Sequence, residues 1–128
     1  LVNITGIAHI TGGGVWGKLG DLLPEGVGAV LDNMPTPALI LREAQEFSWD
    51  DPELRLTDLH AYGTFHGGCG MLVVCRNYDD AAMLIEQAKK DGVRAMVTGY
   101  TEKSVTKEIA IKSRLKEGRW LSSEELKK

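Results

Sequence analysis

Gly6-Ile7-Ala8-His9-Ile10-Thr11-Gly12-Gly13-Gly14 is the stretch on which the reading of this chain turns. An apolar segment carries a histidine and a threonine to its end. Three glycines follow, and an amphipathic stretch then starts near Val15. Glycine loses more backbone entropy on ordering than any other residue, so such a run favours neither strand nor helix. Its place at a strand-to-helix junction predicts bare backbone beside something that comes close, commonly an anion on free N–H groups. Side chains alternate along a strand, which puts Ile7, His9 and Thr11 on one face and Gly6, Ala8 and Ile10 on the other.

Working outward, the pattern predicts a strand over 3–11 and a helix over 15–23, with Val15, Trp16, Leu19, Leu22 and Leu23 at helical spacing. Pro24-Glu25-Gly26 reads as a turn, and 27–31 as a second strand closed by Asp32-Asn33. Thr36 is suited to cap a helix with Pro37 at its first position, and Leu39, Ile40, Ala44 and Phe47 mark the side expected to be buried. A further helix starts near Pro52 or Thr57 and ends near Phe65. His66-Gly67-Gly68-Cys69-Gly70 is a second glycine-rich junction, leading into a strand over 71–75.

The clearest helix spans 79–91, with Ala81, Leu84, Ile85 and Ala88 along one face and Gly92 where a C-terminal cap belongs. A strand is expected over 93–98. Residues 107–115 alternate, and Lys116-Glu117-Gly118 turns the chain back through Arg119-Trp120-Leu121. Alternating strands and helices make this an α/β (α+β) chain, a mixed β-sheet with helices packed on it.

With 128 residues, 43% hydrophobic and 26% charged, the chain is one domain with a core of its own. A net charge of −3 offers no basic footprint for nucleic acid. The apolar runs are too short to span a bilayer, and no charged n-region with an apolar h-region opens the chain. Two cysteines, Cys69 and Cys75, do not make a disulfide framework. A cytoplasmic setting, with no membrane and no nucleic-acid partner, is expected. Leu1 in place of an initiating Met reads as a piece of a longer chain.

The chemistry concentrates at the two glycine loops. His9 is suited to donate a hydrogen bond or shuttle a proton near neutral pH, Thr11 to hydrogen-bond an oxygen, and Gly12, Gly13 and Gly14 to hold a phosphate on main-chain amides. The plainer reading is a tight connection with the histidine satisfied inside the sheet. His66, Gly68 and Gly70 are expected to face the first loop across a cleft, or else only to end a helix and begin a strand.

His60, His66 and Cys69 match no common zinc spacing, so no metal site is predicted from them. Cys69 has no identifiable base to make it a nucleophile. Cys75 reads as a core residue, and Asp50, Asp51, Glu53 and Asp58 as a solvated acidic face. Trp16 and Trp120 read as packing residues.

These residues also carry a family resemblance. Ala8-His9-Ile10-Thr11-Gly12-Gly13-Gly14, then Trp16, the leucine-rich helix, Leu23-Pro24, and Gly28-Ala29-Val30 with Asp32, resemble the C-terminal domain of aminoimidazole ribonucleotide (AIR) synthetase, phosphoribosylformylglycinamidine cyclo-ligase. Tyr62, Thr64, Phe65, Gly68, Gly70 and Met71 fit that family's Y-x-T-F-N-x-G-x-G-M pattern, and the resemblance runs from about residue 4 to residue 100. His66 stands where the family usually has Asn, and Gly63 where Arg is common. No Trp precedes Pro37, and the stretch from Pro37 to Phe65 is longer than in familiar members.

The resemblance implies a distantly ferredoxin-like domain in an enzyme that converts formylglycinamidine ribonucleotide (FGAM) and ATP to AIR, ADP and phosphate. It implies His9 as the residue that binds or polarises the substrate, with Thr11, the three glycines, His66, Gly68 and Gly70 around substrate or phosphate. ATP and magnesium would be held mostly by an N-terminal half, which, with the opening of the C-terminal domain, lies outside this chain. A homo-oligomer is expected. The other expectations are a split or truncated paralogue that binds a phosphorylated ligand or a partner chain, and a related enzyme acting on another ATP-activated oxygen.

Overall fold

A computed structural model describes residues 2–127. Its elements run β1 (Ile4–His9), α1 (Gly14–Leu22), β2 (Val27–Leu31), α2 (Leu39–Ser48), α3 (Asp58–Thr64), β3 (Met71–Cys75), α4 (Tyr78–Lys90), β4 (Tyr100–Lys103), β5 (Ile109–Lys112) and β6 (Trp120–Ser122). A short 3-10 turn, Ser123–Lys127, follows. The class is mixed α/β, as the alternation predicts.

The strands divide between two sheets. β1 and β3 form an antiparallel pair with His9 opposite Met71 and Ala8 opposite Leu72. The other sheet has the order β4-β2-β5-β6, with β2 antiparallel to β4 and parallel to β5. The β5–β6 hairpin sets Ile111 opposite Leu121 around a turn that includes Gly118 at φ 64.

Helix α1 lies at the centre because its apolar stripe is continuous. Val15, Trp16 and Leu19 are buried, each such side chain stabilising the fold by roughly 1.5–3 kcal/mol. The Trp16 indole N–H donates to the Ile109 carbonyl at 3.0 Å, tying α1 to β5, and its ring meets Tyr62 of α3 edge-on at 6.3 Å. Trp120, by contrast, is largely exposed.

Helix α4 has the predicted face, although Ala81, Leu84, Ile85 and Ala88 are half-buried rather than enclosed. Its ends are set locally. The Asn77 Oδ1 accepts the Asp80 N–H at 2.9 Å, and Gly92 turns left-handed at φ 75 while the Val93 N–H closes on the Ala88 carbonyl. Asn77→Ala should lower stability by about 1 kcal/mol in urea unfolding, and Asn77→Ser should retain most of it. No loss in the alanine variant would show that the cap is dispensable.

Several expectations are corrected. First, α2 turns the opposite side inward: Leu41 and Gln45 are buried, whereas Leu39, Ile40, Ala44 and Phe47 are exposed, Phe47 at 95%. The cause is polar. Gln45 donates to the Leu56 carbonyl and to Asp58, and accepts the Lys116 N–H, so three hydrogen bonds orient the helix against its apolar stripe.

Second, Thr36 does not cap that helix. The cap position is Ala38, without a side-chain bond, and α3 instead takes Thr57, which accepts the His60 N–H at 3.2 Å.

Third, residues 93–98 form no strand. The Asn33 N–H and side-chain amide occupy the Thr98 and Val97 carbonyls, and Val93, Met96 and Val97 remain exposed, so alternation there has no buried face to fill. Pairing starts only at Tyr100, after Gly99.

Fourth, Asp58 is not part of a solvated face but is fully buried. Its carboxylate accepts from the Gln45 amide at 2.6 Å and the Ser113 hydroxyl at 2.6 Å. It also accepts the Glu117 and Gly118 N–H groups at 3.0 and 3.1 Å. Asp58 thereby joins α2, α3 and the β5–β6 turn. Tyr62 completes this region: its hydroxyl accepts the Arg114 N–H at 3.1 Å, and burial pushes its pKa up. Cys75 is half-buried rather than a core residue.

Candidate functional site

β1 delivers His9 and Thr11 to an open cavity of about 460 Å³, which also reaches Ile7 and the α1 residues Lys18, Asp21 and Leu22. His9 and Thr11 are both exposed. The Ile10 N–H donates to the Gly70 carbonyl at 3.0 Å, and antiparallel pairing alternates. The main-chain groups of Ile7 and His9 therefore turn away from β3, along the free edge of β1 beside the cavity. Gly6 lets α1 approach from beneath, since a Cβ there would lie 2.7 Å from Leu22.

The three glycines prove unlike one another. Gly14 is buried at φ +63, and a Cβ on it would lie 2.1 Å from the Tyr62 carbonyl oxygen. Its N–H already donates to the Thr11 carbonyl at 3.0 Å, so Gly14 is a packing residue whose amide is spent inside the protein. Gly13 caps α1 at φ 90, and Gly12 has open space where a Cβ would be. Gly12 and Gly13 are exposed, and among the described residues neither amide has a protein partner. Two N–H groups at the start of a helix thus remain for an oxyanion.

The second loop lies alongside the first through the Ile10–Gly70 bond. Gly67 and Gly68 answer to packing: a Cβ on Gly67 would meet the Tyr62 ring at 2.4 Å, and one on Gly68 the Thr36 carbonyl oxygen at 2.5 Å. Gly70 has open space around it. His66 is exposed, and its Nδ1 accepts the Gly68 N–H at 2.9 Å. Neither His66, Gly68 nor Gly70 lines the cavity that holds His9 and Thr11.

Cys69 is buried, its thiol directed at the Met71 carbonyl at 3.6 Å, and burial pushes its pKa up. That is the reverse of an activated nucleophile. No group of three or more His, Cys, Asp or Glu is placed to hold a metal among the described residues.

Lys18 and Asp21 are the residues that the sequence reading missed. Their only sequence signal is spacing: both sit three residues apart on the helix that follows the glycine loop, on the side that faces β1. No helix of the described chain is long and apolar enough to cross a membrane.

Comparison with known proteins agrees with the motif reading. The family described as AIR synthase related protein, C-terminal domain, matches residues 1–112. Among curated relatives, a phosphoribosylformylglycinamidine cyclo-ligase of Bacillus pumilus is 30% identical over 102 residues, which are 78% of this chain and 27% of the relative. The protein of the same name from Caldicellulosiruptor saccharolyticus is 32% identical over 103 residues, covering 80% of this chain and 28% of the relative. The one from Nitrosospira multiformis is 38% identical over 91 residues, covering 69% and 24%. This chain therefore spans about a quarter of the length of these relatives. With a match over most of its length and the histidine–threonine–glycine motif at the open end of β1, the chain belongs to the AIR synthase related family and carries that family's C-terminal domain.

Proposed function

We propose that this domain is the C-terminal part of an ATP-dependent phosphoribosylformylglycinamidine cyclo-ligase, acting in purine biosynthesis and inactive without an N-terminal half. The observation that carries the reading is the junction at the end of β1. His9 and Thr11 line one cavity, and the exposed amides of Gly12 and Gly13, without a protein partner among the described residues, lie immediately beyond them.

In this reading His9 binds or polarises the group being activated, and Thr11 donates a hydrogen bond to an oxygen of the same ligand. The Gly12 and Gly13 amides receive a phosphate, of either FGAM or ATP. His66, Gly68 and Gly70 flank the site from the β3 side. ATP supplies the phosphoryl group that makes the formamide oxygen a leaving group. The Gly12 and Gly13 amides support a phosphate on this side of the site. Following the family resemblance, the magnesium and most nucleotide contacts belong in this reading to the N-terminal half.

The exposed apolar stripe of α2, Ile40 with Phe47, favours a second reading in which the chain binds a partner without catalysis. AIR formation separates the two. This chain alone should give no product. Mixing with the N-terminal half of a cyclo-ligase relative should give turnover, which His9→Ala lowers by about 100-fold with no change in urea midpoint. Turnover by the chain alone would overturn its incompleteness. A defined complex without turnover would favour the second reading.

A further inference from the structure

We propose that the free edge of β1 is a self-pairing surface, on which a second copy of this chain adds its own β1, antiparallel about a two-fold axis.

Among the described residues β1 has one strand partner, β3. Ala8 and Ile10 bond toward β3, so the main-chain N–H and C=O groups of Ile7 and His9 lie on the open edge. Soluble proteins commonly blunt such an edge with a charge, a proline or a bulge. The strand Ile4–His9 holds no carboxylate, no Lys or Arg and no Pro. Its one register irregularity lies between Ile4 and Gly6, which leaves Ile7–His9 regular. Ile7 is itself 56% exposed.

The strand is self-complementary when the axis passes through Ala8. Ile7 then stands opposite His9 of the second copy. These outward-facing residues exchange N–H···O=C bonds on each side of the axis. Ala8 meets Ala8, a side chain small enough for the close pair between those bonds.

Helix α1 adds charge complementarity. It starts where the Gly14 N–H closes on the Thr11 carbonyl, and it returns beneath β1 until Leu22 lies against Gly6. Its middle is therefore level with Ala8. Lys18 and Asp21 line the cavity along the open edge. Among the described residues neither has an ion pair or a side-chain hydrogen bond. A two-fold axis at this level sets two copies of α1 side by side and antiparallel, with Lys18 of each opposite Asp21 of the other. Charges left unmatched within one copy become ion pairs across the interface. Pairing covers the cavity beside His9, so the paired chain is a closed form that a ligand or an N-terminal half must displace.

Sedimentation equilibrium of the whole chain at low salt tests this. The average mass should rise from one copy toward two between about 1 µM and 1 mM, as for a small reversible interface. Lys18→Asp and Asp21→Lys each set like charges across the axis, and each should weaken pairing roughly tenfold. Mixed one to one, these two variants should recover a dimer, because one presents only carboxylates there and the other only ammonium groups. Ile7→Pro removes an N–H from the open edge without touching the β1–β3 ladder, and it should abolish pairing. Circular dichroism checks that each variant is folded. If Ile7→Pro does not fold, the charge exchange decides alone.

A monomer throughout that concentration range would overturn the proposal. So would single charge variants that pair as well as the unsubstituted chain, or a mixture of them that stays monomeric. A dimer that Ile7→Pro leaves intact would place the contact elsewhere, on the exposed stripe of α2, and overturn it too. Each of these results leaves the catalytic reading standing, since AIR formation with an N-terminal half tests that separately.

Discussion

Gly14→Ala is expected to remove about 4 kcal/mol of stability, or roughly 15 °C in melting temperature, while Gly12→Ala changes stability by no more than about 0.5 kcal/mol. The two residues lie in the same glycine run, so composition cannot separate them. At Gly14 two costs coincide. Its backbone is left-handed at φ +63, a region that L side chains rarely adopt. Its Cβ would also lie 2.1 Å from the Tyr62 carbonyl oxygen and 2.5 Å from the Gly63 carbonyl carbon. Those are backbone atoms of α3 and have no rotamer through which to escape. Accommodation requires α1 and α3 to part, which opens the contact between Trp16 and Tyr62.

Gly12 has open space and no such constraint. Urea unfolding of both variants measures the difference. A Gly14→Ala protein as stable as Gly12→Ala would mean that the α1–α3 approach is not as close as described. If Gly14→Ala does not fold at all, the lesser contact at Gly6 provides the graded control. There the obstacle is the flexible end of Leu22, and alanine should cost only about 1–2 kcal/mol.

Asp58→Ala is expected to cost about 3–5 kcal/mol, although the position offers no catalytic chemistry. Removing the carboxylate leaves the buried Gln45 amide and Ser113 hydroxyl, and the Glu117 and Gly118 N–H groups of the turn, without this acceptor. A buried donor that has lost its partner costs more than the bond contributed. Asp58→Asn keeps the shape and one acceptor oxygen, so it should lose about half as much, and it remains measurable if the alanine variant does not fold. Faster amide exchange at Glu117 and Gly118 should accompany either change, because those two amides close on Asp58. A cost under about 1 kcal/mol in Asp58→Ala would remove this network from the account of stability.

Much of the fold was legible where a local pattern has one physical solution. The alternation of Ile7, Ala8, His9 and Ile10 and the stripe of Val15, Trp16 and Leu19 give β1 and α1. Asn77 and Gly92 mark the ends of α4. Burial and capping act within a few residues there, so neighbours in sequence suffice. The α2 helix shows the limit. Ile40, Ala44 and Phe47 form a regular apolar stripe, yet the inward face belongs to Gln45, because its partners Asp58 and Lys116 come from distant parts of the chain. Residues 93–98 alternate like a strand, yet Asn33 holds their carbonyls.

The candidate site divides in the same way. His9 and Thr11 were legible as residues of one strand face at a glycine junction, since side-chain alternation is a local property. Lys18 and Asp21 were not, because only the packing of α1 beneath β1 turns them toward the same cavity.

The sequence by itself determined the α/β class, the histidine–threonine–glycine junction and the family, because propensity, periodicity and motif spacing are written in consecutive residues. The tertiary structure alone decided which glycines serve packing and which keep a free amide. It also decided which face of α2 is inward, and that Asp58 is structural. Each of these depends on where remote backbone and side-chain atoms come to lie, and no local pattern carries that information.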